Sequence, residues 1–309
     1  MSNDINRATA TEECSMRKEI SFDSRGHKLV GYLHLPAGQS ADSRASTIVM
    51  IGPADGSKEH APSIYAERFA RLGYAALAFD HTSYGDSEGT PRCDEDPFVK
   101  SEDIKNAVSF LQGRPEVDPD RIVGVGVCAG GGYLPYTAVT DRRIKAVATV
   151  SAITSPRATI VSGFAGPWQH LMAAAGAART AYASGGEARY VPFMPDGLQS
   201  EWVENGKKFY LTERNLDPDW ENRTLLWSYD KLVQFSALDI IDLLTPTPLL
   251  VIAGTAAETF DQSQQAYDRA REPKELFLIE GGKHFDFYDR PEFVTPAIEK
   301  IDAFFKARL

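Results

Sequence analysis

Short runs of apolar residues alternate with amphipathic segments along most of the chain. Segments such as SIYAERFARLG and EDIKNAVSFLQG repeat apolar residues at a spacing near 3.6, which is typical of helices that pack on one face. The continuous Val, Ile and Leu runs between them indicate strands covered on both faces. The pattern therefore predicts an α/β fold with a mostly parallel sheet between layers of helices. The runs are STIVMIG (46–52), AALAFD (75–80), RIVGVGV (121–127), IKAVATVS (144–151), PLLVIAG (248–254) and ELFLIEG (275–281).

Two regions depart from this alternation. EISFD and HKLVGYLHLP flank the turn residues Ser24, Arg25 and Gly26 and predict an opening hairpin. Residues 156–242 show no clear strand–helix unit and are too long for an idle loop in a compact domain. We expect a mainly helical cap over the carboxyl edge of the sheet, where such sheets bind ligands. The predicted organisation is a flexible tail (1–16), a core (17–155), the cap (156–242) and the rest of the core (243–309).

Composition narrows the function classes. With 43% hydrophobic and 25% charged residues, the chain suits a globular protein. A net charge of −10 and a pI near 5.2 argue against nucleic acid or an anionic membrane as a partner. No apolar run is long enough to span a bilayer, and the polar start is unlike a secretion signal. Three cysteines are typical of a reducing cytoplasm. We expect a cytoplasmic protein without metal or cofactor, and a homodimer is left open.

The stretch GVGVCAGGGYL allows three interpretations. Gly124, Gly126 and Ala129 fit a loose dinucleotide-binding turn, but that turn needs an acidic residue about 20 positions downstream, where apolar VATVSA lies. Cys128 as a buried structural thiol is the usual role of a free cysteine, yet the small neighbours would pack it poorly. The third interpretation is a nucleophile elbow, a sharp strand-to-helix turn with cysteine in the serine position. The glycines favour this elbow because the backbone must double back without Cβ clashes.

The partners of such a nucleophile follow in the expected chain order. The order is nucleophile, acid, base. His284 lies in a Gly-rich loop directly after ELFLIEG and is the predicted base. The loop after PLLVIAG supplies Glu258 and Asp261. Glu258 is favoured as the acid since Asp261 can cap the following helix.

Two backbone N–H groups are predicted to hold an oxyanion. One belongs to Ala129, which follows the nucleophile. The other should come from the loop after STIVMIG, where Pro53 has no N–H, Ala54 is the best donor and Asp55 is the next. The other side chains predicted at the pocket are Glu59, His60, Tyr84, Trp168, Tyr210 and Trp227.

Several separated motifs resemble the α/β-hydrolase superfamily. They are GSKEH, LAFDHTSYGDSEGTPR, VDPDRIVGVGVCAGGGY, DRRIKAVATVSA, TPLLVIAG and HFDFYD. The chain is most similar to the cysteine-bearing branch near dienelactone hydrolases and the fungal polyketide transferase family. The resemblance implies an α/β-hydrolase fold with Cys128 as nucleophile and His284 as base.

The expected chemistry is acyl transfer through a thioester. A helix N-terminus and a nearby His are expected to lower the pKa of Cys128. Attack on an ester, lactone or thioester with an apolar or aromatic acyl group would acylate the sulfur, and water would release it. Transfer to an alcohol or amine is the alternative, as is a non-catalytic ligand-binding domain. A redox thiol is a further alternative, with Cys93 as resolving partner.

Overall fold

The structure is a computed structural model that describes residues 16–38, 43–161 and 167–309. The predicted tail (1–16) lies outside these ranges except for Met16, which begins the first strand. The opening hairpin is confirmed: β1 and β2 pair in antiparallel register, with Met16 opposite Leu35 and Ser24 opposite His27.

Within the described ranges, eight strands form the main sheet in the order β1-β2-β4-β3-β5-β6-β9-β10. β1 and β2 are antiparallel, and the strands from β4 to β10 along this order run parallel to one another. The six buried runs of the sequence each form one parallel strand. The strands are β1 (Met16–Ser24), β2 (His27–Leu35), β3 (Ala45–Ile51), β4 (Ala75–Phe79), β5 (Val117–Val127), β6 (Ile144–Val150), β7 (Tyr190–Val191), β8 (Thr224–Leu225), β9 (Leu249–Gly254) and β10 (Lys274–Ile279).

Helices cover the sheet. From β3 the chain moves outward to β4 and then crosses back to β5, so right-handed crossovers place the two connecting helices α1 and α2 on opposite faces. α1 packs with α10, and α2 packs with α3. The helices are α1 (Ala61–Arg71), α2 (Pro97–Gln112), α3 (Gly130–Thr140), α4 (Pro156–Val161), α5 (Trp168–Ala183), α6 (Glu201–Tyr210), α7 (Ser228–Gln234), α8 (Phe260–Arg269), α9 (Asp286–Asp289) and α10 (Pro291–Lys306).

The change of direction between β3 and β5 creates a cleft at the carboxyl edge of the sheet. Ligands of open α/β sheets bind at this kind of switch point. β5 is buried between β3 and β6, and Cys128 follows its last residue. The predicted fold class, a mostly parallel sheet flanked by helices, is confirmed.

The segment 156–242 is mostly helical where it is described. It contains α4 to α7, two short 3₁₀ turns and the small antiparallel pair β7–β8. Two apolar clusters separate from the main core hold it together. One centres on Trp227, Leu225 and Ala175, and the other on Ile160, Tyr229 and Leu232.

Candidate active site

Cys128 stands on a turn that its neighbours force into a strained shape. Its φ is 58°, in the left-handed region that non-glycine residues rarely adopt. A Cβ atom at Gly126 would collide with the backbone carbonyl of Gly130, and one at Gly130 would collide with that of Ile51. The Cys128 N–H donates to the Val150 carbonyl at 3.1 Å, which ties the turn to β6. This geometry is that of a nucleophile elbow.

The sulfur of Cys128 faces three hydrogen-bonding groups. They are the hydroxyl of Tyr288 and the backbone N–H groups of Ala129 and Ala54. Burial, with 1% of the residue exposed, raises the pKa of the thiol to about 11 although these three groups act to lower it. The expectation of a lowered pKa is therefore wrong, because desolvation of the thiolate outweighs the helix N-terminus and its N–H groups. The Cys128 side chain is therefore a neutral thiol at rest.

His284 reaches the same hydroxyl from the loop after β10. Its Nε2 lies 3.1 Å from the Tyr288 hydroxyl oxygen. Its Nδ1 lies 2.7 Å from the Thr259 hydroxyl and 3.1 Å from that of Ser151. Complete burial lowers the pKa of the imidazole to about 3, so the ring is neutral at rest. The structure thus brings Cys128 and His284 together around Tyr288.

Glu258 is placed differently from the prediction. Its Oε2 accepts a hydrogen bond from the backbone N–H of His284 at 3.1 Å, and its Oε1 accepts one from the Asn205 side chain. The ring Nδ1 faces the hydroxyls of Thr259 and Ser151 instead. Glu258 therefore holds the loop that carries His284 and does not contact the imidazole through its carboxylate. Asp261 lies in the first turn of α8, but the N-cap of this helix is Thr259 and no side-chain capping hydrogen bond is formed.

The loop that carries Ala54 is held by buried hydrogen bonds. The Gly52 carbonyl accepts from the Gly130 N–H at 3.0 Å, which joins this loop to the elbow. Asp55 has a φ of 51°, and its N–H donates to Glu95 Oε2 at 2.9 Å. The Trp220 indole donates to the Asp55 carbonyl at 2.6 Å. These anchors set the direction of the Ala54 N–H before a substrate arrives, which is the condition for an effective oxyanion site.

A buried pair of carboxyls supports the loop from behind. Lys100 donates to Glu95 at 2.6 Å, and the Tyr84 hydroxyl lies 2.8 Å from Glu95 and 2.9 Å from Asp55. Burial and the neighbouring Glu95 raise the pKa of Asp55 well above its usual value. Burial acts to raise the pKa of Glu95 as well, but the Lys100 charge and several hydrogen bonds lower it overall. Glu95 is therefore the ionised member of the pair, and Asp55 is the protonated one.

A cavity of about 660 Å³ opens above the elbow. Cys128, Ala129 and Ala54 lie in its wall, and the segment 156–242 supplies most of the apolar surface opposite them. The volume is that of an ordinary small-molecule site. The aromatic and aliphatic side chains from this segment are Ile160, Phe193, Leu198, Trp202, Tyr229 and Leu232.

Three of the six other predicted pocket residues have structural contacts instead. Trp168 packs against the Ile160 cluster, and Trp227 packs with Tyr182 at 5.3 Å in its own cluster. His60 is fully buried, with its Nε2 2.9 Å from the Asn215 side chain. Trp168 and Trp227 do not line the cavity because the aromatic residues of a cap also have to bury one another. The His60 ring packs instead against Phe209, Tyr210 and Trp220.

Glu59, Tyr84 and Tyr210 lie near the site but away from the main cavity wall. Glu59 accepts a hydrogen bond from the Tyr32 hydroxyl at 2.7 Å. Glu59 and Tyr84 line a separate cavity of about 420 Å³. Tyr210, at the end of α6, is buried beside Tyr288.

Sequence reasoning missed Tyr288, Thr259 and Ser151. Tyr288 lies in the short helix α9, four residues after His284, and the tight turn between them brings the two side chains into contact. The motif HFDFYD therefore contained a usable signal for Tyr288. Thr259 and Ser151 follow different strands, and their contact with one ring depends on the tertiary fold.

Neither a metal centre nor a membrane span is found in the part of the chain that is described. Residues 16–38, 43–161 and 167–309 hold no group of three His, Cys, Asp or Glu side chains placed to bind a metal ion. Of the helices in those ranges, none is long and apolar enough to cross a bilayer.

Comparison with known proteins identifies the family. The family model described as the alpha/beta hydrolase family matches residues 52–297, so this chain belongs to that family. It is 30% identical to the protein YcjY of Escherichia coli (strain K12) over 310 residues, which covers 95% of this chain and 100% of YcjY. The crystal structure of the protein PA2218 from Pseudomonas aeruginosa superposes with a TM-score of 0.88 at 29% identity, covering 97% of this chain and 95% of that one.

Two further relatives carry names that describe an activity. The polyketide transferase grgF from a Penicillium species is 25% identical, covering 88% of this chain and 90% of its own. The thiohydrolase aneE from Aspergillus aculeatus is 28% identical, covering 85% of this chain and 82% of its own. The resemblance to the family inferred from the motifs is confirmed. The narrower cysteine-nucleophile branch stays a prediction.

Proposed function

We propose that this chain is an acyl hydrolase that works through a thioester on Cys128. The observation that carries the proposal is the elbow: a cysteine at φ 58°, whose sulfur faces two backbone N–H groups at the base of a 660 Å³ cavity. Packing a cysteine side chain in the core does not require a backbone φ in the left-handed region. Strain of this kind is concentrated at functional sites.

In the acylation step the sulfur attacks the carbonyl carbon while His284 takes up its proton. The carbonyl oxygen becomes an oxyanion and accepts hydrogen bonds from the N–H groups of Ala54 and Ala129. Each such donor typically contributes about 3 kcal/mol to the transition state. The bond to the leaving group then breaks, the proton passes to the leaving group, and the acyl group stays on sulfur. Water then attacks the thioester carbonyl while His284 takes up a proton from it. The acyl group leaves as a carboxylic acid and the sulfur regains the proton.

The cavity and the nucleophile together favour activated acyl substrates. A thioester formed from another thioester, an enol ester or a lactone is close to neutral in free energy, whereas one formed from an amide is uphill. Ile160, Phe193 and Trp202 give the wall an apolar character that suits an aliphatic or aromatic acyl group. The relative named thiohydrolase is consistent with this substrate class.

Acyl transfer to an alcohol or amine is the second candidate. The relative named polyketide transferase, similar over most of both chains, favours it. Chemically the two functions share every step up to the thioester and differ in what enters the cavity next.

Intact-mass spectrometry tests the thioester. The protein is mixed with p-nitrophenyl acetate, p-nitrophenyl decanoate, ε-caprolactone and acyl N-acetylcysteamine thioesters. We expect an acyl adduct on the wild type and on the matched control Cys93→Ala, and none on Cys128→Ala. An adduct that persists on Cys128→Ala, or no adduct from any probe on folded wild type, contradicts the proposal. Products formed with added hexanol or benzylamine then separate transfer from hydrolysis.

A further inference from the structure

Tyr288 is the polar side chain that both members of the proposed catalytic pair contact. Its hydroxyl oxygen lies 3.1 Å from His284 Nε2 and interacts with the sulfur of Cys128. The side chain is fully buried, so bulk water does not compete for its hydroxyl. Burial raises the pKa of Tyr288 well above its usual value, and the phenol keeps its proton at rest.

One tautomer of the imidazole arranges these hydrogen bonds in series. Thr259 and Ser151 place two hydroxyls at Nδ1. A neutral ring whose Nδ1–H donates to one of them has a free lone pair at Nε2. The Tyr288 hydroxyl then donates to Nε2, and its oxygen is available to accept from the Cys128 S–H. The three side chains form one chain of donors and acceptors.

We propose that Tyr288 is a third catalytic residue, which relays the proton between the Cys128 sulfur and His284 Nε2. This inference rests on the proposed function, in which Cys128 is acylated. As the S–C bond forms, the S–H proton moves to the Tyr288 oxygen and the Tyr288 proton moves to Nε2. When the intermediate collapses, Nε2 returns a proton to the Tyr288 oxygen, and the Tyr288 proton passes to the leaving sulfur or oxygen.

Tyr210, from the segment 156–242, packs beside the Tyr288 side chain. Tyr210 is buried, and its hydroxyl has no close hydrogen-bond partner among the described residues. It interacts with the Tyr288 hydroxyl across the packed rings, whose centroids are 6.5 Å apart. The contact with Tyr210 raises the pKa of Tyr288 further, so Tyr210 helps to keep the Tyr288 phenol protonated at rest.

Acylation by p-nitrophenyl acetate tests the relay, because p-nitrophenolate leaves without needing a proton. The rate of acylation then reports only how the thiol loses its proton. We expect Tyr288→Phe to acylate about 100-fold more slowly, the lower end of general acid–base effects. We also expect the curved proton inventory of the wild type in H₂O/D₂O mixtures to become linear. Tyr74→Phe is the control, since it removes another tyrosine hydroxyl, one bonded to Asp302 and outside the cavity wall.

An acylation rate of Tyr288→Phe within threefold of wild type, with an unchanged proton inventory, overturns the relay. If Tyr288→Phe does not fold, 3,5-difluorotyrosine at position 288 keeps the hydroxyl and the shape but makes the phenol more acidic. A relay predicts a displaced pH–rate profile for that variant, and a profile superimposable on wild type overturns it.

Iodoacetamide separates failure of the relay from failure of the proposed function. Alkylation of Cys128 also requires loss of the thiol proton but involves no acyl chemistry. If wild type forms no acyl adduct while Tyr288→Phe still changes the proton inventory of alkylation from curved to linear, the relay stands and the acyl function is wrong. If acyl adducts form and Tyr288→Phe changes neither reaction, the proposed function stands and the relay is wrong.

Discussion

The neutral state of the Cys128 thiol gives a quantitative prediction for its reactivity. A thiol with a pKa of about 11 is ionised at pH 7.5 in about one molecule in 3,000. An exposed cysteine that titrates near pH 8.5 is ionised in about one in ten at the same pH. Because iodoacetamide reacts with the thiolate, Cys128 should be alkylated about 300-fold more slowly than a free cysteine, before steric protection is counted.

The assay measures the alkylation rate between pH 7 and 9.5. A background of Cys14→Ala and Cys93→Ala leaves Cys128 as the remaining cysteine of the chain. The rate should rise about tenfold for each pH unit across this range without reaching a plateau, because the whole range lies below the pKa. The single-cysteine variant unfolded in guanidinium provides the matched control with an exposed thiol.

A plateau in the alkylation rate below about pH 8 would refute the reasoning. Such a profile means that a thiolate–imidazolium pair is formed at rest, as in cysteine enzymes whose His is protonated. It would show that the hydrogen bonds from Ala54, Ala129 and Tyr288 outweigh the desolvation of the sulfur. The balance between these two effects is what the pH profile measures.

Three further predictions follow from the contacts of the site. Glu258→Gln should acylate within about tenfold of wild type, because the amide oxygen can still accept from the backbone N–H of His284; a loss near 10⁴-fold would mean that the carboxylate orients the ring after all. Because the pKa of His284 is lowered in the folded state, the unfolded chain binds a proton below pH 6.5 that the folded chain does not. Between pH 7 and 5 the free energy of unfolding of the wild type should therefore fall by about 2 kcal/mol more than that of His284→Gln. Equal decreases in urea titrations would contradict this. Gly126→Ala should lower the free energy of unfolding by about 3 kcal/mol or more, because its Cβ meets the Gly130 carbonyl. Gly176→Ala, on the open face of α5, should leave the free energy of unfolding unchanged or raise it by up to about 1 kcal/mol. Similar thermal midpoints for the two variants would contradict the elbow geometry.

The sequence by itself determined the sheet, the elbow and the chain order of the site. The buried runs are continuous Val, Ile and Leu segments whose strand character depends on local composition alone. Gly126 and Gly130 are needed wherever a strand turns sharply into a helix, so the position of Cys128 follows from a few neighbouring residues. The loop after the last strand brings His284 to the same edge, because the carboxyl ends of parallel strands lie at one edge of the sheet.

Only the tertiary structure decided which groups touch the reacting atoms. Glu258 and Thr259 are adjacent in sequence, yet the hydroxyl of Thr259 reaches the His284 ring while the carboxylate of Glu258 turns to the backbone. That choice depends on side-chain directions set by packing from distant strands. Trp202 lines the cavity while Trp168 fills a cluster, although both lie in aromatic-rich helical segments. The sign of the pKa shift of Cys128 likewise depends on burial, a property of the whole fold that no local pattern records.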